Sequence, residues 1–428
     1  MKRRGLIILF ILTLTISLFS DSLKMIKKIE IEIENTKKPS KFLTTFAKNE
    51  VIITPFVAIG KDFKIRIYSL RDNTEQIIKK EAPALYEIGE LTSVTFITTF
   101  NFEDKFWIIC GNGKNGDMEI NEYIKKDNEY IFNKKLNLGV KSGIVIIDKE
   151  LKDRLIISLG VNESERKIMV VDKNLKWYKE LITLRDFSGD LEIAEYKDKL
   201  YIFESIPEKS VSSFFGSNSK YIKLKHTFDA KTYKLLKKDE KAFSDMEYYI
   251  YIYQDGKYTY FGNYGGKINI KRYDLESGKV EDINMEEIYP LLKEGKIEYS
   301  YFVYKNKKVL IEIDEEDIMK LVMGEIIDNN FKIIWKKELE RKEGAFLVKN
   351  VKNALLLDSD LMDNTEIFID EGKNYKVNLE TGEITEITDK PIWFFKMRDK
   401  YYYGALNKTE KKDGKNYSVF EIYELKFE

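Results

Sequence analysis

Carboxylate chemistry is what this chain has most material for. It carries 72 acidic residues against 72 basic ones, with a single histidine and a single cysteine. Cleavage of a glycosidic bond needs only two acids at a set separation, and among so many acids spacing alone selects no pair. His226 is the one imidazole available for acid–base work. No Ser or Cys nucleophile can be paired with it from sequence, so it reads as a satisfied residue in a strand ahead of Asp229. One His beside one Cys argues against zinc. Cys110 closes the apolar run Phe106-Trp107-Ile108-Ile109 and reads as a buried structural thiol. Asp358, Asp360 and Asp363 could offer oxygens to Ca²⁺, but a calcium loop needs further oxygens and a Gly at fixed offsets. A solvated loop is expected there, and no metal or cofactor. The run Gly111-Asn112-Gly113-Lys114-Asn115-Gly116 lacks the Gly-Lys-Ser/Thr ending of a phosphate loop and reads as a flexible turn. Glu312 to Asp317 reads as a charged turn after a strand.

Binding offers more to point at. Ser205 to Asn218 is long and carries Phe214-Phe215 between Ser and Gly, which reads either as an exposed aromatic contact or, as is usual for adjacent aromatics, as a pair with one ring tucked back onto the sheet. Met285 to Gly295 reads as one or two helical turns and holds Tyr289. Phe214, Phe215, Tyr289, Asp358, Asp360 and Asp363 are therefore the residues expected to meet a ligand or partner.

The elements that would position them follow from a repeat. A polar turn followed at once by apolar residues recurs at Lys48-Asn49-Glu50, Glu103-Asp104-Lys105, Lys152-Asp153-Arg154, Lys197-Asp198-Lys199, Asp255-Gly256-Lys257, Lys305-Asn306-Lys307, Val351-Lys352-Asn353 and Arg398-Asp399-Lys400, with a mean period of 50 residues. A second turn follows each of the first seven, as in Asp229-Ala230-Lys231-Thr232, Asp274-Leu275-Glu276-Ser277-Gly278 and Asn378-Leu379-Glu380-Thr381-Gly382; Lys126-Asp127-Asn128 fits less well. Each turn sits between strand-like runs, so one period holds two hairpins, or four short strands. Aromatics at 13% and only 6 Pro suit strands. The eighth copy ends after Phe420 to Leu425, one strand short. The missing strand is available at the other terminus, where Lys28 to Glu34 alternates apolar and charged.

The expected fold is all-β: a β-propeller of four-stranded blades, eight rather than seven, closed by the N-terminal strand. The competing arrangements are an open array of hairpins or two sandwiches. In a propeller the links from second to third strand, and from blade to blade, share one face, which is where the residues named above would lie.

Met1-Lys2-Arg3-Arg4 followed by apolar Gly5 to Phe19 reads as a signal peptide, shorter than the ~20 residues of a span. Cleavage near Ser22 would leave 23–428 as one exported domain without a membrane span, periplasmic or extracellular; an uncleaved N-terminal anchor is the alternative. No Cys follows the apolar run, so a lipid anchor is not expected. Balanced charge gives no basic excess for nucleic acid.

The second turn resembles the repeat tail of quinoprotein-like, tryptophan-docking propellers, and Trp335 follows Asp328 near the docking position. The resemblance implies the fold. Most copies lack the tryptophan and the family's metal and quinone ligands have no assignable match, so a quinone-dependent dehydrogenase is not implied. The function expected is a protein- or glycan-binding or scaffold module of the cell envelope; the alternative is a carbohydrate-active enzyme using paired carboxylates near a central channel.

Overall fold

The computed structural model describes residues 22–33, 42–47, 50–55, 57–58, 62–71, 74–81, 95–102, 105–111, 116–142, 144–162, 165–184, 191–207, 221–263, 267–292, 298–304, 308–315, 318–340, 365–370, 373–390, 392–396 and 401–426. They form antiparallel sheets that follow one another along the chain, numbered here 1 to 8. Sheet 1 holds Phe42–Ala47, Glu50–Pro55, Phe63–Ser69 and Glu75–Lys80; sheet 2 holds Thr98–Asn101, Lys105–Gly111, Asp117–Lys126 and Glu129–Lys141. Sheet 3 holds Ile144–Glu150, Arg154–Asn162, Glu165–Asp172 and Tyr178–Leu184; sheet 4 holds Leu191–Tyr196, Lys199–Pro207, Tyr221–Asp229 and Leu235–Asp245. Sheet 5 holds Tyr249–Asp255, Tyr258–Asn263, Ile270–Asp274 and Val280–Asp282; sheet 6 holds Glu298–Tyr304, Lys308–Glu315, Ile318–Ile327 and Asn330–Glu340. Sheet 7 shows Thr365–Asp370, Lys373–Asn378 and Ile384–Thr388, and the turn copy at Val351-Lys352-Asn353 lies outside the described residues. Sheet 8 holds Trp393–Lys396, Tyr401–Lys412 and Lys415–Lys426, and takes Ser22–Ile33 from the other terminus as its fourth strand.

In the seven sheets other than sheet 7 the apolar runs after the first turn are the second strands. They are apolar throughout because both faces are buried. In sheet 2, Phe106, Ile108 and Cys110 pack toward sheet 1 while Trp107 and Ile109 pack toward sheet 3. In sheet 4, Leu200 and Ile202 face sheet 3, and Tyr201 and Phe203 face sheet 5. Period-two alternation thus sends successive side chains into two different inter-sheet cores. Similar clusters join sheets 5 and 6, sheets 6 and 7, and sheets 8 and 1.

The second turn owes its composition to its own hydrogen bonds. The Asp or Asn side chain accepts backbone N–H groups two and three residues on, as Asn378 Oδ1 does from Glu380 (2.9 Å) and Thr381 (3.1 Å). Asp274 does the same from Glu276 (2.8 Å) and Ser277 (3.0 Å). Burial works against the Asp274 charge, but Lys257 and those two N–H groups outweigh it and hold the carboxyl near 2. The two turn types also meet. Lys173, Ala230 and Leu275 donate backbone N–H to Asp153, Asp198 and Lys257 of the first turn, at 2.9, 2.9 and 2.8 Å. The second turns at Asp127-Asn128 and Asp328-Asn329 are of another kind, two residues long and both left-handed, at φ 48° and 69° and at φ 46° and 63°.

The expected charged turn from Glu312 to Asp317 is mostly strand: Glu312, Ile313, Asp314 and Glu315 pair with Leu321, Lys320, Met319 and Ile318. The two ladders simply run on until only residues 316 and 317 are left to connect them. Met285 to Gly295 carries one helical turn, a 3₁₀ turn at Tyr289–Leu291, and residues 293 to 295 lie outside the described residues. Among the described residues no helix is long and apolar enough to cross a membrane.

Trp335, on the fourth strand of sheet 6, lies over the second turn of sheet 7 and donates Nε1–H to the Leu379 carbonyl (2.9 Å). Gly382 sits beneath the indole at φ +70°, and a Cβ there would stand 2.8 Å from the ring. Gly278 has the equivalent φ of +72°, but its nearest atom, the Tyr273 hydroxyl, would be 3.5 Å away. Gly278→Ala is expected to cost roughly 1–2 kcal/mol, the left-handed penalty alone. Gly382→Ala should cost clearly more, on the order of 3 kcal/mol, because the indole must also move. Denaturant titration of both variants checks this; equal losses would mean that the indole does not rest on Gly382.

Candidate functional site

An open pocket of about 520 Å³ lies at one end of sheet 5. Three different links converge there. Asp245, Glu247 and Tyr249 come from the passage between sheets 4 and 5; Lys267, Ile268 and Asn269 precede the third strand; Asp282, Ile283, Asn284 and Tyr289 come from the exit toward sheet 6. These are the two link types expected to share a face, and Tyr289 is among the residues expected to bind.

A buried lysine organises the acids. Lys271 reaches Asp282 at 2.6 Å and Asp245 at 3.1 Å. Burial alone would lower the Lys271 pKa, but the two carboxylates reverse that and raise it. Asp282 is likewise held below the usual range, burial being outweighed by Lys271 and by the Asn269 amide (3.1 Å). Asn269 also donates to the Tyr249 hydroxyl (3.0 Å), and burial pushes the Tyr249 pKa far up, so its phenol stays neutral. Glu247 is the odd acid. It is half-buried, and burial followed by the nearby Asp245 charge raises its pKa. The Lys267 ammonium lies 4.2 Å from the Tyr289 ring centroid. The pocket therefore presents one carboxyl with a raised pKa, one ammonium on an aromatic face, and amide groups. That set hydrogen-bonds polar, neutral or zwitterionic groups.

The sequence pointed to Tyr289 and missed Asp245, Glu247, Lys267, Asn269 and Asp282. Only their position next to strand ends marks them, and that requires knowing which links converge. Phe214, Phe215, Asp358, Asp360 and Asp363 lie outside the described residues. A second, smaller hollow of about 170 Å³ sits at the opposite end of sheet 5, lined by Tyr258, Arg272, Asp274, Lys279 and Glu281. Its charges answer one another: Arg272 and Lys279 pair with Glu281, and Lys257 with Asp274.

His226 is fully buried on the third strand of sheet 4, next to Glu204 and Asp239. Asp239 occupies a bulge at φ 53°, which turns its backbone N–H onto His226 Nδ1 at 3.2 Å. Nδ1 therefore accepts, and Nε2 carries the proton it donates to Glu204 at 2.9 Å. Both ring nitrogens are committed, so this trio does not suit a metal ion, which would need a free imidazole lone pair. Cys110 is buried, and burial raises its thiol pKa to about 11, far from a reactive thiolate.

No protein-family model and no curated protein matches this chain. Among solved structures, the Dos1 propeller matches with a TM-score of 0.50 at 10% identity, over 93% of this chain and 95% of that one. The chain has a β-propeller fold. Sqt1 of Saccharomyces cerevisiae matches with a TM-score of 0.44 at 8% identity, over 89% and 93% of the two chains. The AfRom2 CNH domain matches with 0.45 at 10%, over 78% and 94%. At such identities the likeness concerns fold alone.

One buried acid of the propeller has a consequence for stability. Asp148, on the first strand of sheet 3, keeps part of its surface exposed, yet protein crowds its carboxyl and burial raises its pKa from 3.8 to about 7. The folded state thus holds a proton that the unfolded chain releases. Its contribution to stability is present below the unfolded value and is lost as pH rises toward 7. Asp148→Asn is expected to flatten that part of the pH profile and to stabilise the protein at pH 8 by on the order of 1 kcal/mol. Thermal melts between pH 4 and pH 8 check it, and an unchanged slope would contradict it.

Proposed function

We propose that the chain is an exported binding or scaffold module of the cell envelope, that its eight blades close into one ring, and that it engages a protein or glycan partner through the pocket at the end of blade 5. The observation that carries the reading is the convergence of three links on a pocket rich in hydrogen-bonding groups, in which Lys271 neutralises Asp245 and Asp282. Acids committed to a lysine are poorly placed to act as base or nucleophile, whereas an aromatic ring with amides and a half-buried carboxyl suits recognition. Export rests on the basic, then apolar, N-terminus. Nucleic acid is not a partner in this reading, since the charges balance.

A second reading is supported by Glu247. A carboxyl with a raised pKa beside an ion-paired Asp245 is the asymmetry that acid catalysis on glycosides uses. Here Glu247 would be the acid and the protein a carbohydrate-active enzyme.

A glycan array and envelope cross-linking, both with the purified mature protein, separate the two. Binding predicts that Tyr289→Ala with Glu247→Gln weakens capture at least about 10-fold, some 1.4 kcal/mol, and leaves melting nearly unchanged. Enzymology predicts reducing ends released from the bound glycan, lost in Glu247→Gln alone. Wild-type capture by the double variant, with no turnover, would remove both readings. N-terminal sequencing of the processed protein tests export, with a start near Ser22 expected.

A further inference from the structure

Away from the pocket, the least satisfied charge among the described residues belongs to Arg166. It follows Glu165 at the start of the third strand of blade 3 and is only 3% exposed. Alternation puts it on the side of the strand that carries Ile168 and Val170, which pack against blade 4 through Leu200, Ile202 and Phe228. Its Nε and Nη2 have no hydrogen-bond partner. Arg154 and Arg272 also leave a buried Nε unmatched, but carboxylates answer the rest of their guanidiniums: Asp153 and Glu195 for Arg154, Glu281 for Arg272. Arg166 makes no ion pair among the described residues.

A guanidinium cannot escape burial by losing its proton, and an uncompensated buried charge is costly. The two unmatched nitrogens also share one edge of the planar group. Their N–H bonds run parallel, which is the fork that grips two oxygens of one ion. We propose that Arg166 anchors a site for a small carboxylate or oxyanion between blades 3 and 4, gripped across the Nε and Nη2 edge.

The interface's own acids are engaged elsewhere. Asp148 comes near enough for the Arg166 charge to act on it, but takes its hydrogen bond from the Ser158 hydroxyl (2.7 Å) and forms no ion pair with the guanidinium. Glu204 is held by His226. Fork geometry also sets the selectivity: an ion with two oxygens on one centre can bridge both N–H groups, and a spherical halide cannot.

The test is thermal unfolding of the full chain in acetate, formate, sulfate or chloride at matched ionic strength, with calorimetric titration of acetate alongside. Saturable stabilisation by the oxygen-bearing ions with one site per chain is expected, and none by chloride. Arg166→Lys keeps the charge and loses the fork, so acetate affinity should fall at least 10-fold. Should that variant fail to fold, the wild-type ion series and the calorimetric stoichiometry still decide. Flat melting in every ion would mean that the guanidinium is answered from within the chain, and would overturn the site. An equal response to chloride, or an undiminished affinity in folded Arg166→Lys, would overturn it as well.

Discussion

The first strand of the described chain, Ser22–Ile33, pairs antiparallel with the last, Lys415–Lys426, and the architecture depends on that ladder. Without it, blade 8 would present the free edge of Lys415–Lys426, a template for pairing with another chain. The ladder also delivers Ile29 and Ile31, nearly fully buried, to a core shared with Val51 and Ile53 of blade 1 and Phe420 and Ile422 of blade 8. Each such aliphatic side chain contributes roughly 1.5–3 kcal/mol on burial. One strand therefore satisfies an open edge and cements two blades that stand at opposite ends of the sequence. Lys27 adds a polar tie, donating to the Ser69 carbonyl in blade 1 at 2.7 Å.

Between these ends the structure repeats one solution. A second strand buried on both faces supplies side chains to two cores, so neighbouring blades cannot separate without exposing both. In blades 3, 4 and 5 the first and second turns are hydrogen-bonded to each other, which places the two signatures at the same end of the blade. The fold thus builds one end of each blade from short turns held by their own hydrogen bonds. The opposite end carries links of variable length, from two residues after Asn162 and after Glu315 to thirteen between Pro207 and Tyr221. The pocket of blade 5 lies at that variable end, as binding residues on a rigid scaffold commonly do.

Much of this was legible in the residues. Runs such as Leu155-Ile156-Ile157 or Leu200-Tyr201-Ile202-Phe203 announce strands buried on both sides, and Asp274 to Gly278 announces a turn that caps itself. The strand pairing across the termini could be read from alternation in Lys28 to Glu34 and from a last copy that stops short. What could not be read has physical causes. Asp127-Asn128 and Asp328-Asn329 use two-residue left-handed turns in place of the self-capping turn of Asp274 to Gly278, and nothing local separates the two kinds. The short bridge of Val57–Ala58 with Thr95–Phe96 joins two links and leaves no periodic trace. The pocket was legible only through Tyr289. Its acids belong to two separate links, and nothing in local sequence distinguishes Asp245 or Asp282 from other acids until Lys271 brings them together. Arg166 was equally silent, because in sequence it is one of three consecutive charged residues, Glu165-Arg166-Lys167, and only the fold shows that it is the buried one.

The most direct test of the account is cross-linking of the termini. Glu32 and Tyr417 are register partners in the ladder between the first and last strands, so Cα atoms of such a pair stand about 4.5–5.5 Å apart. Glu32→Cys with Tyr417→Cys, in a Cys110→Ala background, is treated with a short bismaleimide and digested for mass spectrometry. The account predicts a linked pair of peptides from the two ends of one chain, formed at a rate independent of protein concentration. Cross-links only between separate chains, or two singly capped thiols, would contradict it.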